Sequence, residues 1–148
     1  MYTVLVVDDD KEVREVLRAV ITAHGHKVLE ASTAEEAMEA ARTGDPDVIS
    51  MDIDLKESTG FEVLERLRRA GQRGFAVVVS GDIEGYTTDF KRWQELRIFD
   101  VIAKPFRLEK LVEVLESAAD ATRQEGRLCS FLDTIISRNE SSLSAKPA

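Results

Sequence analysis

Val4-Leu5-Val6-Val7-Asp8-Asp9 carries four apolar residues, three of them β-branched, straight into two carboxylates. An apolar run of this length without alternation reads as a strand buried on both faces. The unit recurs along the chain: residues 48–51 lead into Asp52, residues 75–79 into Ser80 and residues 99–103 into Lys104, with Lys27–Ala31 a weaker run of the same kind. Between the runs, apolar residues fall at helical spacing. Val13, Val16, Leu17, Val20 and Ile21 make one stripe. Ala34, Ala37, Met38 and Ala41 make a second, opened by Ser32-Thr33-Ala34-Glu35 as a capping box and stopped by Gly44. Phe61, Leu64 and Leu67 form a third, ended by Gly71; Phe90, Trp93 and Leu96 a fourth; and Leu108, Leu111, Val112 and Leu115 a fifth. Five strands alternating with five helices predict an α/β domain over residues 1–120, a parallel sheet covered on both faces.

Residues 121–148 read as a C-terminal extension. Residues 121–126 are polar and end in Gly126. Leu128, Phe131, Leu132, Ile135 and Ile136 then predict a separate short amphipathic helix over about 127–137, before a Ser/Asn-rich flexible tail. An exposed apolar stripe is an aggregation hazard, so the default expectation is that it covers the domain's own surface; a homodimer contact or a docking site for a partner are the alternatives.

The totals narrow the function classes. A chain of 148 residues with 43% hydrophobic content fits one globular domain. A net charge of -8 with no Lys/Arg cluster argues against direct nucleic-acid binding. No apolar run approaches the roughly 20 residues needed to span a membrane, and the first residues lack the basic region of a signal peptide. One cysteine, Cys129, cannot pair internally, which makes a reducing cytoplasm the expected compartment. Cys129 is expected to be buried or half-buried, and His24 and His26, around Gly25, to be exposed turn residues.

In open parallel sheets, functional groups gather beyond the carboxyl ends of the strands. Those ends carry Asp8, Asp9, Asp52, Ser80 and Lys104. Two carboxylates about 4 Å apart repel by roughly 4 kcal/mol at an effective dielectric near 20, so the cluster calls for a compensating cation. Hard oxygen donors with open water positions suit Mg²⁺ (or Mn²⁺). A metal, Lys104 and Ser80 would together make Asp52 a shielded nucleophile for a phosphoryl group. Each feature alone has a plain reading: Asp8-Asp9 as a helix entry, Ser80-Gly81 as a turn, Lys104-Pro105 as a strand terminus. Their conjunction at successive strand ends favours a site.

Val4-Leu5-Val6-Val7-Asp8-Asp9, Asp47-Val48-Ile49-Ser50-Met51-Asp52 with Gly60 eight residues on, Val78-Val79-Ser80-Gly81 and Ile102-Ala103-Lys104-Pro105-Phe106 resemble, in order and spacing, the receiver domains of two-component response regulators. The resemblance runs from about residue 3 to 120. It implies a flavodoxin-like (βα)5 doubly wound sheet of order 2-1-3-4-5, and phosphorylation of Asp52 by a histidine kinase or histidine phosphotransfer protein. It further implies direct metal binding by Asp9, Asp52 and the backbone carbonyl of Asp54, and metal binding through water by Asp8. Lys104 would pair with the phosphate and Ser80 would be the hydroxyl switch. Three positions depart from the usual pattern. Val101 stands where an aromatic switch partner is common, with Tyr86 a candidate substitute. Lys56 stands where proline is common, and the segment from Ser80 to Lys104 is about two residues longer than usual. Asp54 and Asp82, two residues after Asp52 and Ser80, match positions that tune dephosphorylation.

Two other functions fit some of these residues. Asp52-Ile53-Asp54 matches the Asp-x-Asp pair of haloacid dehalogenase-type phosphatases, although that pair should follow the first strand. The chain could also be a degenerate receiver, an unphosphorylated interaction module. In either receiver reading, the output is protein–protein contact with a downstream partner that the sequence does not identify.

Overall fold

The computed structural model describes residues 1–82 and 89–144, the last five as backbone. The elements follow the expected alternation: β1 (Thr3–Val7), α1 (Lys11–Ala23), β2 (Lys27–Ala31), α2 (Ala34–Gly44), β3 (Val48–Asp52), α3 (Gly60–Arg69), β4 (Phe75–Ser80), α4 (Phe90–Glu95), β5 (Ile98–Ala103) and α5 (Leu108–Ser144). All strand pairs are parallel and the sheet order is β2-β1-β3-β4-β5. This is the doubly wound, flavodoxin-like arrangement.

The period of two along each strand divides the core into two layers. Leu5, Val7, Ile49, Met51 and Val78 pack with Ala37 and Ala41 of α2 and with Phe61, Val63, Leu64 and Leu67 of α3. Val4, Val6, Val48, Val77 and Val79 face the other way, onto Leu17 and Ile21 of α1 and Leu111, Val112, Leu115, Ala118 and Ala119 of α5. Every residue of β3 is buried. That burial explains why it is apolar up to Asp52 except for the small hydroxyl of Ser50.

Local chemistry sets the helix starts. Asp10 caps α1, its side chain accepting from the N–H groups of Glu12 and Val13. Thr33 caps α2 by accepting from Glu36 N–H, and Glu36 Oε2 accepts from Ser32 N at 2.8 Å. The capping box is therefore one residue later than expected. The left-handed turn after α2 is at Asp45 (φ 42°) rather than Gly44, while the expected glycine stop at Gly71 is present, with φ 91°.

Other expectations are corrected. The run 99–103 was expected to be buried on both faces, yet Phe99, Asp100 and Ala103 are exposed, because β5 is the sheet edge and α4 beside it has only 6 residues. In the first and fourth stripes, Val16 and Phe90 face solvent, at 49% and 71% exposure. His26 is not an exposed turn residue. Its Nδ1 accepts from Tyr2 N at 3.1 Å and its Nε2 lies 2.9 Å from Glu116 Oε2, tying the start of β1 to α5.

The largest difference concerns the C-terminal extension. Residues 127–137 are helical, but no break separates them from the fifth helix: α5 runs unbroken for 37 residues, through Gly126. The stripe does not cover the domain's own surface either. Leu128, Phe131, Leu132, Ile135 and Ile136 are 36–62% exposed, and Cys129 is exposed rather than half-buried. No helix among the described residues is long and apolar enough to cross a membrane.

Candidate functional site

The carboxyl ends of the central strands form the site. Asp8 and Asp9 follow β1, Asp52 closes β3, Ser80 closes β4 and Lys104 follows β5. Carboxylate oxygens of Asp8, Asp9 and Asp52 lie within 4.8 Å of one another. Lys104 Nζ is 3.3 Å from Asp52 Oδ1. Asp8 and Asp52 are each only 4% exposed, whereas Lys104 is half-buried.

Backbone donors aim these side chains. Asp10 N donates to Asp8 Oδ1 at 2.9 Å, Asp54 N to Asp52 Oδ1 at 3.1 Å, and Lys56 N to Asp9 Oδ2 at 2.9 Å. The last bond ties the β3–α3 loop to the turn after β1. A proline at position 56 could not make it, so the residue that departs from the receiver pattern gives this chain an added contact at the site. Arg14 Nη1 donates to the carbonyl of Asp8 at 2.7 Å and fixes the same turn from α1.

Gly60 is required by close approach. A Cβ there would stand 2.5 Å from the carbonyl oxygen of Asp52 and 3.0 Å from Ile53 Cα. Its absence lets the start of α3 sit directly against the end of β3, where Gly60 N donates to Ile53 O at 3.0 Å. Asp54 and Thr59 pair across the loop, which closes it into a short turn beside the nucleophile candidate.

The electrostatics fit a cation. Burial is the main force pushing the Asp8 carboxyl up to about 6, and the neighbouring Asp52 and Asp9 add to it. The Asp10 N–H and Lys104 pull the other way. One ammonium against three carboxylates leaves negative charge uncompensated, and the all-oxygen donor set suits a hard divalent ion.

Ser80 is fully buried, and its hydroxyl is engaged with its own turn, accepting from Asp82 N at 3.1 Å and lying 3.3 Å from Asp82 O. Asp54 and Asp82 are exposed at the rim, outside the cluster of three carboxylates. Val101 is partly buried against the α2–α3 side of the sheet. Tyr86, its candidate substitute, lies outside the described residues. A cleft of about 380 Å³, lined in part by Asp9, Ser32, Thr33, Leu55 and Lys56, opens beside the site. Sequence reasoning missed the Lys56 tie and the Arg14 brace. Neither has a sequence signal, since one is a backbone donor and the other depends on where α1 lies.

Comparison with known proteins gives one consistent result. The response regulator receiver domain family matches residues 4–116. The sensory transduction protein LytT of Enterococcus faecalis is 31% identical over 118 residues, covering 78% of this chain and 47% of that protein. The transcriptional regulatory protein KdpE of Mycobacterium tuberculosis is 31% identical over 120 residues, covering 80% of this chain and 51% of that protein. The chain thus spans about half the length of these relatives. Among solved structures, the CheY-like receiver domain protein of Methanospirillum hungatei superposes with a TM-score of 0.72 at 21% identity, covering 84% of this chain and 98% of that one. Vibrio cholerae chemotaxis protein CheY4 gives 0.72 at 24% identity, covering 80% and 98%.

Proposed function

The chain belongs to the response regulator receiver family, and from that premise we propose that Asp52 accepts a phosphoryl group in a Mg²⁺-assisted reaction. The observation that carries the proposal is the convergence of the Asp8, Asp9 and Asp52 carboxylates with Lys104 Nζ, 3.3 Å from Asp52 Oδ1. The donor is the phosphohistidine of a histidine kinase or phosphotransfer protein. A carboxylate oxygen of Asp52 attacks phosphorus, the P–N bond breaks, and the imidazole leaves with the electron pair.

Asp9, Asp52 and the Asp54 carbonyl would hold the metal directly and Asp8 through water. When bound, the ion neutralises charge on the phosphoryl oxygens. Lys104 sits where it can pair with the acyl phosphate once formed, and Ser80 can turn from Asp82 toward the new oxygens as the switch. Asp54 and Asp82, exposed at the rim, would tune water attack during dephosphorylation. The chain takes up and loses one group rather than turning over a substrate, and the output is contact with another protein, in the cytoplasm. Asp54 lies outside the carboxylate cluster, which speaks against a phosphatase using Asp52 and Asp54 as its catalytic pair.

Acetyl phosphate with Mg²⁺, followed by intact-mass measurement, tests this reading. The expected gain is about 80 Da, one phosphoryl group, absent in Asp52→Asn. No gain alongside a receiver that does phosphorylate would establish the degenerate alternative. A gain that survives in Asp52→Asn would move the acceptor elsewhere.

A further inference from the structure

The C-terminal half of α5 leaves a row of apolar side chains in solvent. Up to residue 125 the helix belongs to the domain: Leu111, Leu115 and Ala118 are buried, Thr122 Oγ1 accepts from Phe75 N, and Glu125 pairs with Arg97. Beyond it the apolar residues face solvent, Leu128 at 56%, Phe131 at 62%, Leu132 at 46%, Ile135 at 36% and Ile136 at 53% exposure. At about 100° per residue, this stripe is turned roughly a quarter of the way round the helix from the side that packs on the sheet. The domain therefore leaves it uncovered.

We propose that residues 128–139 form a short, parallel, two-stranded coiled coil with a second copy of this chain. Leu128, Leu132, Ile135 and Asn139 follow one another at steps of four, three and four, the spacing of a heptad seam. In a parallel, in-register pair each of these meets its counterpart. Phe131 and Ile136, five residues apart, occupy the flanking positions that face each other across such a pair, so every apolar residue of the stripe finds an apolar partner. Asn139 meets Asn139 at an a position, and this buried polar pair, which fixes register and oligomer state, sets two strands against the higher-order preference of Leu132 at a and Ile135 at d. An antiparallel pair, which sets a against d, would instead place Asn139 opposite Leu128 and leave its buried amide without a polar partner.

Charge and area agree with this occupant. Asp133 and Arg138 are the charged residues between positions 128 and 139, and both lie off the seam, so two chains of net charge -8 meet along a strip almost free of charge. The exposed fractions of these five side chains amount to about 500 Å² per chain, within the roughly 300–600 Å² range of a monomer's largest and often functional apolar patch. Pairing would bury about 1,000 Å² in total, the lower edge of specific association, which predicts a micromolar dimer.

Sedimentation equilibrium of the 148-residue chain across the micromolar range is the test. We expect a monomer–dimer equilibrium that Leu132→Glu abolishes, with phosphoryl uptake and circular dichroism unchanged. For orientation, Leu128→Cys in a Cys129→Ser background should give an air-oxidised dimer on a non-reducing gel. A parent chain that stays monomeric overturns the proposal and gives the stripe to a different protein. A Leu132→Glu variant that dimerises as well as the parent puts the contact elsewhere, and failure of the Leu128→Cys variant to cross-link refutes the parallel arrangement.

Discussion

Replacing Asp8 by asparagine isolates the electrostatic cost of the acidic cluster. The Asp8 carboxyl is pushed up to about 6 from 3.8, first by burial and then by Asp52 and Asp9. A carboxyl raised in the folded state holds its proton more tightly there than in the unfolded chain. It therefore opposes folding above about pH 6, where both states are ionised, and ceases to do so below about pH 4, where both are protonated. A shift of two units at about 1.36 kcal/mol each sets a ceiling of about 3 kcal/mol. Relaxation and water entry at a strand end reduce this to about 1–2 kcal/mol. Asparagine keeps an oxygen for the Asp10 N–H, which donates to Asp8 Oδ1 at 2.9 Å, and removes only the charge. In chelator, urea denaturation should show Asp8→Asn more stable than the parent by about 1–2 kcal/mol at pH 7.5, with the difference gone at pH 4. Millimolar Mg²⁺ should narrow the gap, because bound metal stabilises the parent more than the variant. If the variant is no more stable at pH 7.5, or equally stabilised at both pH values, the cluster does not carry the uncompensated charge assigned to it.

Gly60→Ala forces a Cβ to 2.5 Å from the Asp52 carbonyl, with Met51 Cγ and Ile53 Cα also within 3.0 Å. It should cost about 1–3 kcal/mol in urea denaturation and slow phosphoryl uptake by shifting Asp52. Lys56→Pro removes the N–H that donates to Asp9 Oδ2. It should weaken Mg²⁺ binding, measured by calorimetry, by about three- to tenfold, the worth of one hydrogen bond near 1 kcal/mol.

The strands and the site residues were legible for one reason. A strand inside the sheet is mostly apolar, Ser50 of β3 and Asp100 of the edge strand β5 being exceptions, so the polar residue that follows each run marks the end where the site forms. The positions of Asp8, Asp52, Ser80 and Lys104 at successive strand ends therefore follow from the sequence alone. Register details were less legible. Ser32 and Thr33 can both cap, and the choice between them falls to Thr33 because Glu36, not Glu35, reaches back to Ser32. Gly126 misled because a mid-helix glycine costs only about 1 kcal/mol. Arg123 to Asp47 at 3.0 Å and Glu125 to Arg97 pin the helix just before it. Edge exposure of β5 was hidden because the sequence of Phe99 and its neighbours does not say how short the helix beside them is.

The unbroken α5 has a consequence for how this molecule moves through solution. A 37-residue helix is about 55 Å long, and its last 18 or so residues project roughly 27 Å past the domain. Such a rod adds friction out of proportion to its mass. The chain should elute early from a sizing column even as a monomer, and should show an elongated tail in its small-angle scattering distance distribution. Mass must therefore be taken from light scattering or sedimentation equilibrium, since a Stokes radius alone would report a dimer whether or not one had formed.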